Sequence, residues 1–111
     1  MTSPEEIRNA IQKEFELIRP PEHIRKELDY SFMFEDNILT LFEVRPRWDD
    51  KSVIHQSPFV KARYYKSRNI WQLYWMRASL KWELYDPKPE VKTIKNLFKT
   101  IREDKFGCFF G

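Results

Sequence analysis

One cysteine, Cys108, two glycines, Gly107 and Gly111, and two histidines, His23 and His55, are all that 111 residues hold of those three types. A single thiol cannot close an internal disulfide, and no Cys/His cluster has the spacing of a zinc site. Two glycines exclude collagen-like sequence, and there is no Walker loop, dinucleotide fingerprint, HExxH pair or GxSxG elbow. A histidine without a neighbouring ligand or base is ordinarily a surface or hydrogen-bonded residue, which is the reading for both. No apolar run approaches the roughly 20 residues of a membrane span. The N-terminal MTSPEEIRNAIQKEF alternates charged and apolar residues where a signal peptide has an apolar block. The expectation is a cytoplasmic protein with no membrane contact, metal or cofactor.

What is present in quantity is apolar and aromatic side chain. With 41% hydrophobic and 16% aromatic residues, the chain has enough for one core and too little length for two, so a single domain over residues 1–111 is expected. The formal net charge of +3 and the isoelectric point near 9.0 permit contact with nucleic acid without requiring it. No tail of five or more like charges appears.

Ser3, Pro4 and Glu6 form a helix-starting box, and Ile7, Ile11, Phe15 and Ile18 follow at helical spacing until Pro20 and Pro21 stop the helix. LDYSFMFEDNILTLFEVR reads as a hairpin turning at Asp36 and Asn37, which pairs Phe34 with Leu39, Phe32 with Leu41, Tyr30 with Glu43 and Leu28 with Arg45. RPRWDDKSVIHQSPF has no clear period and reads as a long loop over residues 46–58. Its candidate functional residues are Arg45, Arg47 and Trp48, with the tryptophan expected to tuck onto the domain.

KARYYKSRNIWQLYWMRASLKWELY holds three of the four tryptophans and four of the five tyrosines. Two-residue turns at Ser67–Arg68 and Ala78–Ser79 divide it into strands over 60–66, 69–77 and 80–86. Strand parity then puts Trp71, Trp75 and Trp82 inward, and Lys61, Arg63, Tyr65, Tyr74, Lys81 and Tyr85 outward. Thr93 caps a last helix carrying Ile94, Leu97, Phe98 and Ile101, and the aromatic tail DKFGCFFG is expected to pack back. The expected fold class is a two-layer α+β domain. In it an antiparallel five-stranded sheet, a hairpin followed by a three-stranded meander, carries both helices on one face.

RPPEHIRKELD, LFEVRPRWDD, the stretch from Lys61 to Val91 and DKFGCFFG resemble a family of small bacterial proteins known as domain of unknown function 3024. The likeness runs from about Phe15 to Gly111. It implies no activity, ligand or catalytic residue, so function has to be argued from the residues themselves.

Asp29, Glu43 and Arg45 are the only enzyme-like set, faintly similar to the carboxylates of a metal-dependent hydrolase. The hairpin parity sends Asp29 and Glu43 to opposite faces, which favours ordinary ion pairs. The outward face is the stronger candidate: Lys61, Arg63 and Lys81 are suited to phosphates, and Tyr65, Tyr74 and Tyr85 to stacking on unpaired bases. The same tyrosines with Met76 also suit a protein partner or a homodimer. A non-catalytic binding module using this face is the functional expectation.

Overall fold

The computed structural model describes residues 3–110. Helix α1 runs over Pro4–Ile18; the Ser3 hydroxyl accepts the Glu6 N–H at 3.2 Å, and Pro4 occupies the first turn, where its missing N–H costs nothing. Ile7, Ile11 and Phe15 are its buried stripe. Arg19 is extended ahead of the two prolines, and a 3₁₀ turn, Glu22–Ile24, leads into the sheet.

Strands β1 (Asp29–Glu35) and β2 (Ile38–Pro46) form the expected hairpin. Asp36 and Asn37 have φ of 52° and 63°, the two left-handed residues that a tight hairpin turn with the right twist requires. The pairs Phe34–Leu39, Phe32–Leu41 and Tyr30–Glu43 follow, whereas Leu28 precedes β1.

The expected long loop is nearly half strand. β3 spans Ile54–Tyr65 and pairs back to Pro46, so the connection shrinks to residues 47–53. It is closed by the Arg47 N–H on the Val53 carbonyl at 2.8 Å, while the Asp50 carboxylate accepts from Ser52. The strand is hidden in the sequence because its first half, IHQSP, is polar and contains a proline. A bulge then breaks its period: Leu41 faces Val60 but Phe42 faces Pro58, leaving Phe59 as the extra residue.

β4 (Ile70–Met76) pairs with β3 as expected, Tyr64 with Trp71 and Ala62 with Leu73, across a turn at residues 66–69. The next turn corrects the sequence reading. Arg77 N–H donates to the Lys81 carbonyl and Leu80 N–H to the Arg77 carbonyl, so Ala78, Ser79 and Leu80 form a three-residue loop with Leu80 left-handed at φ 64°. The register of β5 (Trp82–Leu84) shifts by one, Met76 facing Trp82 and Tyr74 facing Leu84, and every side chain changes face. Trp82 therefore points outward, not inward. Tyr85, expected outside, donates its N–H to the Leu73 carbonyl at 2.8 Å and is buried. After an irregular stretch over 86–89 the chain rejoins β4 as β6 (Glu90–Val91).

The sheet is antiparallel throughout in the order β1-β2-β3-β4-β5, with β6 also on β4. Helix α2, Ile94–Glu103, is capped by Thr93 and buries Leu97, Phe98 and Ile101. Both helices join one cluster with Phe34, Leu39, Leu41, Val60, Ala62, Trp71 and Leu73, all on one sheet face. The tail packs back in part: the Asp104 carboxylate accepts the Phe109 and Phe110 N–H groups at 3.0 and 2.8 Å, Phe109 is buried, and the Phe110 ring meets Tyr30 and Phe59, while Phe106 stays exposed. Among the described residues no helix is long and apolar enough to cross a membrane.

Candidate functional site

The sheet face opposite the helices carries no covering element among the described residues. Across it the register aligns Met33, Thr40, Lys61, Tyr74 and Leu84 in one row and Glu35, Ile38, Arg63, Gln72 and Glu90 in the next. Met76 and Trp82 pair beside the first row.

Cations and rings interleave there. Lys61 Nζ lies 5.0 Å from the Tyr74 ring centre and 5.9 Å from that of Trp82, and the Arg63 guanidinium is 5.2 Å from the Tyr65 ring. Such contacts hold a charged head over a π face without neutralising it. The Tyr65 hydroxyl donates to the Gln72 amide oxygen at 3.1 Å, and the Tyr74 hydroxyl donates to the same oxygen. One glutamine thus fixes two rings. Partial burial, reinforced by Tyr65 and opposed by Arg63, raises the Tyr74 hydroxyl above its ordinary pKa, so it stays a neutral donor through the physiological range.

Of the outward residues expected from sequence, Lys61, Arg63, Tyr65 and Tyr74 come together. Lys81 is exposed just before β5, opposite Arg77 at the end of the sheet. Tyr85 leaves the face altogether: it stacks on Phe109 at 4.9 Å inside the core, where burial raises its hydroxyl pKa. Trp82 replaces it, missed because an Ala-Ser-Leu turn gives no sign that its third residue is left-handed. Phe42 and Val44 of β2 add partly buried apolar surface to the same face, legible only by continuing the parity of the Asp36–Asn37 turn.

Arg45, Arg47 and Trp48 lie elsewhere, at the two-stranded end of the β2–β3 hairpin. Arg45 pairs with Glu43 and Arg47 with Asp49, while Trp48 is 92% exposed and not tucked onto the domain. Arg45 faces His55 on the helix side of the sheet, away from Lys61 and Arg63.

The carboxylates do not converge. Asp29 is held by Arg19 through two bonds of 3.0 and 2.9 Å and accepts the Tyr30 N–H at 2.8 Å. The Arg19 hydrogen bonds depress its pKa more than burial raises it. Its strand partner is Val44, so Glu43 projects to the other face. No group of three or more His, Cys, Asp or Glu side chains placed to hold a metal occurs among the described residues. Cys108 is half-buried, and burial raises its thiol pKa.

Fold and face together define an α+β module with one open antiparallel sheet surface. The chain belongs to the family described as Domain of unknown function (DUF3024), whose model matches residues 2–111. No curated protein and no solved structure matches it significantly.

Proposed function

We propose that the open sheet face binds single-stranded nucleic acid without catalysing a reaction. The observation that supports this most is the interleaving of Lys61 with Tyr74 and Trp82, and of Arg63 with Tyr65, on a face that no helix covers among the described residues. Three rings on adjacent strands offer stacking platforms for unpaired bases, and the two cations meet the phosphates between them. Gln72 spares the rings the entropy of ordering on contact, because two of them are already hydrogen-bonded in place.

Fluorescence anisotropy of a labelled single-stranded oligomer tests the reading. Binding is expected to show little sequence preference, with a log-affinity against log-salt slope of about −1.4 for two phosphate contacts. Tyr74→Ala loses about 1–3 kcal/mol of binding, as for one stacked base. Arg63→Gln flattens the slope by about 0.7. No binding at low salt by the folded protein rejects the proposal.

A second reading has its own support. Met33 is 46% exposed, and Phe42, Val44 and Met76 share the face, an apolar content that also suits a protein partner or a second copy of the chain. Self-association in sedimentation, insensitive to salt and abolished by Met33→Lys, would favour a homodimer instead.

A further inference from the structure

The positive charge of this chain is concentrated away from the sheet face. Residues 88–105 carry six cations and three anions, a surplus equal to the formal net charge of the whole protein. The three anions are all engaged: Glu90 with Arg68, Glu103 with Lys105, and Asp104 with the Phe109 and Phe110 N–H groups. Among the described residues, Lys88, Lys92, Lys95, Lys99 and Arg102 form no ion pair, and all five are exposed.

Three of them lie in one line. Lys95, Lys99 and Arg102 are at i, i+4 and i+7 of α2, an exposed stripe about 10 Å long about a third of a turn around the helix from the buried Leu97, Phe98 and Ile101. Like charges at these spacings oppose helix formation, and the dipole of α2 favours only the cation of its last turn, Arg102. Helix α1 differs, setting Glu5, Glu6, Glu14 and Glu16 against Arg8 and Lys13. Lys88 and Lys99 also line, with the paired Glu103 and Lys105 and the exposed Phe106, a recess of about 550 Å³ between α2 and the chain leading to β6, beside the stripe.

We infer that the outward face of α2 docks the phosphate backbone of a nucleic acid duplex. A duplex offers a dense, regular row of phosphates and no accessible base faces, which suits a cationic helix whose one ring, Phe98, is buried. A lipid surface suits it less well. A basic helix holds to a bilayer by inserting its apolar face, and here Leu97, Phe98 and Ile101 are already committed to the core. This inference rests on the charge of α2 and stands independently of the sheet-face reading.

The test is anisotropy of a labelled 20-base-pair duplex over a salt series, with the triple variant K95Q/K99Q/R102Q and its charge-preserving counterpart K95R/K99R/R102K. Glutamine at all three positions is expected to weaken low-salt binding at least tenfold and to flatten the salt slope by up to about 2.7, while the counterpart retains both. Circular dichroism of each variant verifies the helix. Tyr74→Ala should leave duplex binding unchanged, which separates this face from the sheet face. Duplex binding that survives the triple glutamine variant overturns the inference. So does equal affinity for polyglutamate or for phosphatidylserine vesicles, which would transfer the stripe to an acidic protein or a membrane.

Discussion

The three tryptophans of the Lys61–Tyr85 stretch occupy three environments, and stability separates them. Trp71 is 2% exposed with its ring against Tyr64 and Phe34; Trp75 is partly buried at the margin of the core; Trp82 lies on the open face. Trp71→Ala should cost about 3–5 kcal/mol in urea unfolding by leaving a core cavity, and Trp82→Ala about 1 kcal/mol. Equal losses would mean that the face is buried by something else. Leu80 is the residue that decides the β5 register, held left-handed at φ 64° while 81% exposed. Leu80→Gly should therefore stabilise the fold by up to about 1 kcal/mol; a destabilised variant would argue for the two-residue turn. Residue identity alone concealed this. Leucine is a poor left-handed residue, and only the Arg77–Lys81 closure shows that the loop needs one.

Among the elements, the N-terminal hairpin was legible in turn and register, because Asp36 and Asn37 specify both, and only the expected Leu28–Arg45 pair falls outside it. The two helices were equally legible, from capping residues and apolar spacing. The first half of β3 was not, since a polar edge segment ending in a bulge has no period to read. Edge strand β1 is protected by α1 and its exit: Arg8 donates to the Phe34 carbonyl at 2.6 Å, and Asp29 occupies the Tyr30 N–H while bonding Arg19. Because the folded state depresses the Asp29 pKa, its contribution to stability is complete above the ordinary carboxylate value of about 4. It is lost as pH falls through the lower folded value. Arg19→Gln should be less stable than the parent at pH 7 and converge on it in strong acid, as read by unfolding midpoints across pH; a constant gap would assign the loss to packing. At the other end, Asp104→Ala removes the acceptor of two tail N–H groups. Amide exchange at Phe109 and Phe110 should accelerate with a stability loss of about 1–3 kcal/mol.

For the molecule as a whole, the two layers divide the chemistry. Helices and core fill one side of the sheet, rings with two cations lie on the other, and the cationic surplus is carried by α2 and its flanks. The 46 × 29 × 24 Å shape fits the long β2–β3 hairpin, whose Arg45–Trp48 end extends past the β1 pairing. Most of the candidate face was legible in the sequence. Parity across the Ser67–Arg68 region correctly united Lys61, Arg63, Tyr65 and Tyr74, while the slip at Leu80 exchanged Tyr85 for Trp82. The central claim is that unpaired bases stack on this surface. It is tested most directly by a heteronuclear NMR titration of the isotope-labelled protein with a single-stranded thymidine oligomer. The Trp82 indole N–H and the amides of Lys61, Arg63, Gln72 and Tyr74 should shift together in a saturable manner, with the buried Trp71 indole unmoved. Silence across those positions, or shifts confined to residues off the sheet face, would contradict the account.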